Sequence, residues 1–61
     1  MTELQKAMIT YRAQENISQR EMARRCKVSS QTINSVENGL QTPTKLTEMK
    51  IRMVMENEKS N

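Results

Sequence analysis

The chain predicts an all-α fold, a compact bundle of four helices in which the second and third are joined by a short turn. Three observations carry this. Apolar residues recur at spacings of three and four, the period of one helix face. Two polar tetrads, Thr2-Glu3-Leu4-Gln5 and Ser18-Gln19-Arg20-Glu21, have the composition of capping boxes, in which a hydroxyl and a longer polar side chain satisfy free amides at a helix start. The chain has one glycine and one proline, Gly39 and Pro43, and these separate the third helix from the fourth.

Each element follows from its residues. Thr2 caps the first helix, expected at about residues 3–14, with Leu4, Ala7, Met8 and Tyr11 on one face and Asn16 suited to the chain reversal that follows. Ser18 starts the second helix, Gln19 to Cys26. Ile17 and Met22 flank that start as a hydrophobic staple, with Met22, Ala23 and Cys26 inward. Lys27 occupies the turn. Val28 and Ile33 repeat the staple around Ser29, so the third helix begins at Ser30, turns Ile33 and Val36 inward and ends at Asn38-Gly39, where glycine permits a left-handed cap.

Leu40 is expected to fold back on the core. Pro43 suits the first turn of the next element, and residues 44–57 are rich in helix formers. Two apolar stripes run along that element. Leu46, Met49 and Met53 form one, and Ile51, Val54 and Met55 a second, turned well away from the first. One local core cannot cover both, and the second stripe is read as a dimer surface. Met49-Lys50-Ile51-Arg52-Met53 also alternates as an edge strand would. Helix propensity favours the helix, and both readings stay open here. Residues 1–57 are read as one domain and 58–61 as a disordered tail.

Composition narrows the function. Sixty-one residues make one small domain, and a net charge of +3 with a pI of about 9.4 favours a polyanionic partner. Positive charge gathers at Arg20, Arg24, Arg25 and Lys27, and again at Lys45, Lys50 and Arg52. With one Cys and no His, neither an internal disulfide nor the usual zinc sites are expected. No His base and no glycine-rich phosphate loop are present, so no catalytic residues are expected. The absence of a long apolar run predicts a cytoplasmic chain without membrane contact. Six Met residues suit a core poor in large rigid groups, and the lone Tyr11 offers no stacking platform for single strands.

The third helix has an outer face of Ser, Gln and Asn, where a merely solvated helix would carry Lys and Glu. Short amides and hydroxyls beside a basic helix are what base-edge reading in duplex DNA requires. Gln31 and Asn34 can each make a bidentate pair with adenine. The helix contains no Arg or Lys, so the commonest guanine contact is missing, and A·T-rich half-sites are expected.

From about Tyr11 to Met55 the chain resembles the Cro and phage-repressor (XRE-type) class of helix-turn-helix domains. The matching residues are Arg12, Ile17-Ser18-Gln19-Arg20-Glu21-Met22-Ala23, Val28-Ser29-Ser30-Gln31-Thr32-Ile33, Val36-Glu37-Asn38-Gly39 and Pro43. The resemblance implies a repressor-like α bundle, usually of five helices, that binds operator DNA as a homodimer with the third helix in the major groove. By position, Ser30, Gln31, Asn34 and Ser35 would face bases, and Gln19, Ser29 and Asn38 phosphates. Arg24 and Lys45 are further phosphate candidates from charge and place. Arg12 and Glu37 match a pair that bridges the first helix to the end of the third. Lys27 stands where the family usually has glycine, which would cost roughly 1 kcal/mol in a left-handed turn and suggests a looser one. Arg52 and Lys45 replace residues that are commonly apolar, and the family's fifth helix is read as absent.

The function expected is that of a Cro-like repressor occupying a palindromic operator, with no cofactor and no small-molecule effector. The alternative is a protein-binding module, an antitoxin or antirepressor whose apolar C-terminal element grips another protein.

Overall fold

The computed structural model describes residues 1–57; the tail expected at residues 58–61 lies outside the described residues. Four helices follow in order: α1 Glu3–Glu15, α2 Gln19–Cys26, α3 Ser30–Glu37 and α4 Lys45–Asn57. The strand reading of residues 49–53 is therefore overturned, and no strand occurs among the described residues. Helix α3 packs on α2 and α1, and α4 packs on α2. Their shared core holds Leu4, Met8, Tyr11, Met22, Ala23, Cys26, Ile33, Val36, Ile51, Val54 and Met55, with Ala7, Ile17 and Val28 against its edge.

Side-chain caps start the helices. Thr2 accepts from the Gln5 amide while Gln5 Oε1 accepts from the Thr2 amide, a reciprocal box. Ser18 accepts from the Glu21 amide and Ser29 from that of Thr32. At α2 the reciprocal half is not made: the Glu21 carboxylate turns to Arg24 and Arg25 instead, because two guanidiniums outbid one backbone amide for it. Pro43 lies two residues ahead of α4. The cap there is Thr44, whose hydroxyl accepts from the Thr47 amide at 3.2 Å.

The first three helices end alike. Asn16, Lys27 and Gly39 all take left-handed conformations, with φ of 56, 59 and 72°. At each, the left-handed amide donates three residues back and the next amide donates five back, to carbonyls the helix leaves unpaired. The pairs are Asn16 to Ala13 with Ile17 to Arg12, Lys27 to Arg24 with Val28 to Ala23, and Gly39 to Val36 with Leu40 to Ser35. So Lys27 adopts the backbone a glycine would, and the turn is not loosened. Ile17 and Val28, which follow the first two caps, reach the core. Leu40 follows the third and is 77 % exposed, contrary to the expected fold-back.

Helix α4 corrects the larger expectation. Ile51, Val54 and Met55, assigned from sequence to a dimer surface, are buried within one chain. Leu46, Met49 and Met53, expected inside, are the exposed stripe, at 64, 55 and 56 %. The stripes were correctly separated but exchanged, because α2 meets α4 on the Ile51 side.

Candidate nucleic-acid interface

Helix α3 has two unlike sides. Ile33, Val36 and Glu37 are buried, while Gln31, Asn34, Ser35 and Asn38 recur at the spacing of the opposite side. Gln31, Asn34 and Asn38 are exposed and Ser35 is half-buried. Ser29 and Ser30 stand exposed at the helix start, where free amides and the positive end of the helix dipole lie. The sequence-predicted base and phosphate candidates of α3 therefore share one accessible side.

Beneath that side lies a charge pair. Arg12 donates through Nε and Nη2 to the two carboxylate oxygens of Glu37, both at 2.8 Å. The Glu37 side chain is 4 % exposed and that of Arg12 23 %. The hydrogen bond to Glu37 holds the Arg12 guanidinium above its usual range, against the opposing effect of desolvation. Arg12 Nη1 also donates to the Ile17 carbonyl. The pair thus ties α1, the approach to α2 and the end of α3, in planar two-point geometry that fixes an angle as well as a distance.

Gln19 does more than expected. Its Nε2 donates to Glu37 Oε1 at 3.1 Å, and its Oε1 accepts from Asn34 Nδ2 at 3.0 Å. Asn38 Nδ2 in turn donates to the Asn34 carbonyl at 2.9 Å and to Asn34 Oδ1 at 3.1 Å. Asn34 is thus exposed but held on both sides, whereas Gln31 is exposed and its side chain makes no hydrogen bond to the other described residues.

Gln5 has a second role that its place in the capping box does not reveal. It is buried, and while Oε1 serves Thr2 its Nε2 donates to the Glu37 carbonyl. No buried side-chain nitrogen or oxygen among the described residues lacks a partner.

Of the cationic candidates, Arg24 is exposed and paired with Glu21, and Lys45 is exposed at the first turn of α4. Arg25 is half-buried, donating to Tyr11, Glu15 and Glu21, and so serves the scaffold. Arg52 is exposed and bridges to Glu48, one turn back on α4, at 2.8 Å. Hydrogen bonds from Arg24 and then Arg25 hold the Glu21 carboxyl down to about 2, below its ordinary 4.5. No metal-binding group of three or more His, Cys, Asp or Glu gathers among the described residues, and no described helix is long and apolar enough to cross a membrane.

Two short helices joined at a tight turn, the second outward-facing and polar, define a helix-turn-helix domain. A family model described as Helix-turn-helix matches residues 8–51. The chain belongs to that family, of the Cro and phage-repressor (XRE) type, and is a DNA-binding transcription regulator of that type. Neither the curated proteins nor the solved structures yielded a match.

Proposed function

We propose that the chain is a Cro-like repressor that binds a palindromic operator as a homodimer, α3 of each copy lying in successive major grooves about 34 Å apart. The outer side of α3 carries the reading: amides and hydroxyls without a cation, presented by a helix braced from below by Arg12 and Glu37. Ser30, Gln31, Asn34 and Ser35 face base edges, with adenine the preferred partner of the two amides. Gln19, Ser29, Asn38, Arg24 and Lys45 face phosphates, Arg24 by exchanging its Glu21 contact for a phosphate. Repression follows from occupying a promoter.

The exposed stripe Leu46, Met49 and Met53 replaces Ile51, Val54 and Met55 as the surface for the second copy. The same stripe supports the alternative, a module that grips a different protein. Sedimentation of the purified chain separates them: a dimer that Met53→Glu dissociates supports self-association, and a monomer at all concentrations favours the alternative.

Titration of a selected palindrome and of random duplex, at two salt concentrations, tests DNA reading. Gln31→Ala is expected to cost about 1–3 kcal/mol at one base position and relax preference there. Arg24→Ala and Lys45→Ala are expected to weaken all sequences alike and lower the salt slope by about 1 each. A selection that returns a G-rich core, or equal loss on every sequence for Gln31→Ala, defeats the base-reading assignment.

A further inference from the structure

An ionised carboxylate offers acceptors only. Glu37 Oε1 receives Gln19 Nε2 at 3.1 Å, so the Gln19 amide lies with its nitrogen toward Glu37 and its oxygen away. That oxygen receives Asn34 Nδ2 at 3.0 Å, which fixes the Asn34 amide in turn. Asn34 Oδ1 then accepts from Asn38 Nδ2. Turning the Asn34 amide over would set oxygen against oxygen at Gln19 and nitrogen against nitrogen at Asn38. One polarity runs through four side chains, and it originates in the only member that cannot reverse.

An asparagine free to turn over shows donor and acceptor in either order, and so accommodates more than one base. Adenine presents N7 as acceptor and N6–H as donor in a fixed order. After its internal contacts Asn34 keeps one N–H and one acceptor site, which is what a two-point contact with adenine needs. Gln19 decides which way round they stand.

We propose that Gln19 is a specificity-positioning residue, passing the polarity of the Arg12–Glu37 pair to Asn34 and so restricting which base pair Asn34 accepts. This rests on the reading of α3 as the base-reading helix and gives Gln19 a role separate from any phosphate contact.

The test uses the full chain. Gln19→Met keeps the side-chain length and removes both polar groups; Gln19→Ala serves if that variant melts abnormally. Duplexes carrying each of the four base pairs are titrated at the position whose preference Asn34→Ala abolishes. Wild type is expected to discriminate there by roughly 5–150-fold, the range of a good two-point contact. In Gln19→Met that preference collapses toward unity, while preferences at positions read by Gln31 persist. In the free protein, the nuclear magnetic resonance signal of the Asn34 side-chain amide loses its exchange protection. Equal weakening on all four duplexes, with the preference intact, overturns the proposal and leaves base reading by α3 standing. An Asn34→Ala variant without a positional effect overturns both the proposal and the assignment of Asn34. Wild type indifferent to duplex DNA removes the proposed function itself, whatever the Asn34 amide signal does.

Discussion

Replacing Lys27 by glycine is expected to stabilise the domain. Lys27 sits at φ 59°, ψ 43°, where a side chain crowds the following carbonyl and costs about 1–2 kcal/mol. Its amide and that of Val28 close the end of α2 on the Arg24 and Ala23 carbonyls, at 3.3 and 3.0 Å, so the conformation is held by two bonds. Its side chain is exposed, so little packing is lost. Glycine removes the strain but enlarges the freedom of the unfolded chain, which returns about 0.4–1 kcal/mol. The net gain is about 0.5–1 kcal/mol, a sizeable share of the roughly 3–9 kcal/mol expected for a domain of this size.

Thermal unfolding followed by circular dichroism should show Tm rising by about 2–8 °C, given about 4–8 °C per kcal/mol in small domains. Lys27→Ala separates backbone from charge. It removes the same cation but keeps a Cβ, so it should not stabilise. Asn16→Gly should change little, since asparagine tolerates the left-handed region. A Tm for Lys27→Gly at or below wild type, or an equal rise in Lys27→Ala, refutes the strain argument.

Gly39→Ala should do the reverse. Its φ of 72° disfavours a side chain, and a Cβ there would come 2.8 Å from Gln5 Nε2, the atom that holds the Glu37 carbonyl; a loss of about 1 kcal/mol or more in chemical denaturation is expected. Glu37→Ala should cost about 3 kcal/mol, the lower end for breaking a buried pair because Arg12 keeps some solvent. In a double-mutant cycle with Arg12→Ala the second substitution should then cost little, and additive losses would mean the two charges are uncoupled. Glu21 supplies a pH signature. Its carboxyl is depressed from 4.5 to about 2, so its contribution is complete above the ordinary value and lost as pH falls toward the lower one. Melting curves across that window should fall more steeply for wild type than for Glu21→Gln, and parallel curves would count against the Arg24 and Arg25 contacts.

The fold was legible wherever a local rule decides the outcome. Helix starts at Thr2, Ser18 and Ser29 depend on a hydroxyl and amides three residues away, and the bounds of α2 and α3 follow from them. The left-handed ends at Asn16 and Gly39 likewise depend on residue type. Legibility failed where two elements must meet. Periodicity separates the two stripes of α4, but a helix wheel has no marker for which stripe its neighbour covers. That choice is made by α2, more than twenty residues away in sequence, which meets the side bearing Ile51, Val54 and Met55. Leu40 failed for a related reason. The backbone bond from its amide to Ser35 completes the cap without requiring its side chain to reach the core.

The recognition side shows the same division at finer scale. That Gln31 and Asn34 would stand outward on α3 follows from Ile33 and Val36 turning inward, and both are exposed. That they differ in freedom does not follow from any local rule. Their composition and exposure are alike, yet Asn34 is held through Gln19, which starts another helix, and Gln19 through a carboxylate whose own partner lies in α1. Sequence assigns these residues separately: a phosphate contact, a base contact and a structural pair. Their bonding makes them one network. A substitution at Arg12 or Glu37 is therefore expected to alter selectivity at the Asn34 position before it alters selectivity at Gln31, because only the former receives its orientation from beneath the helix.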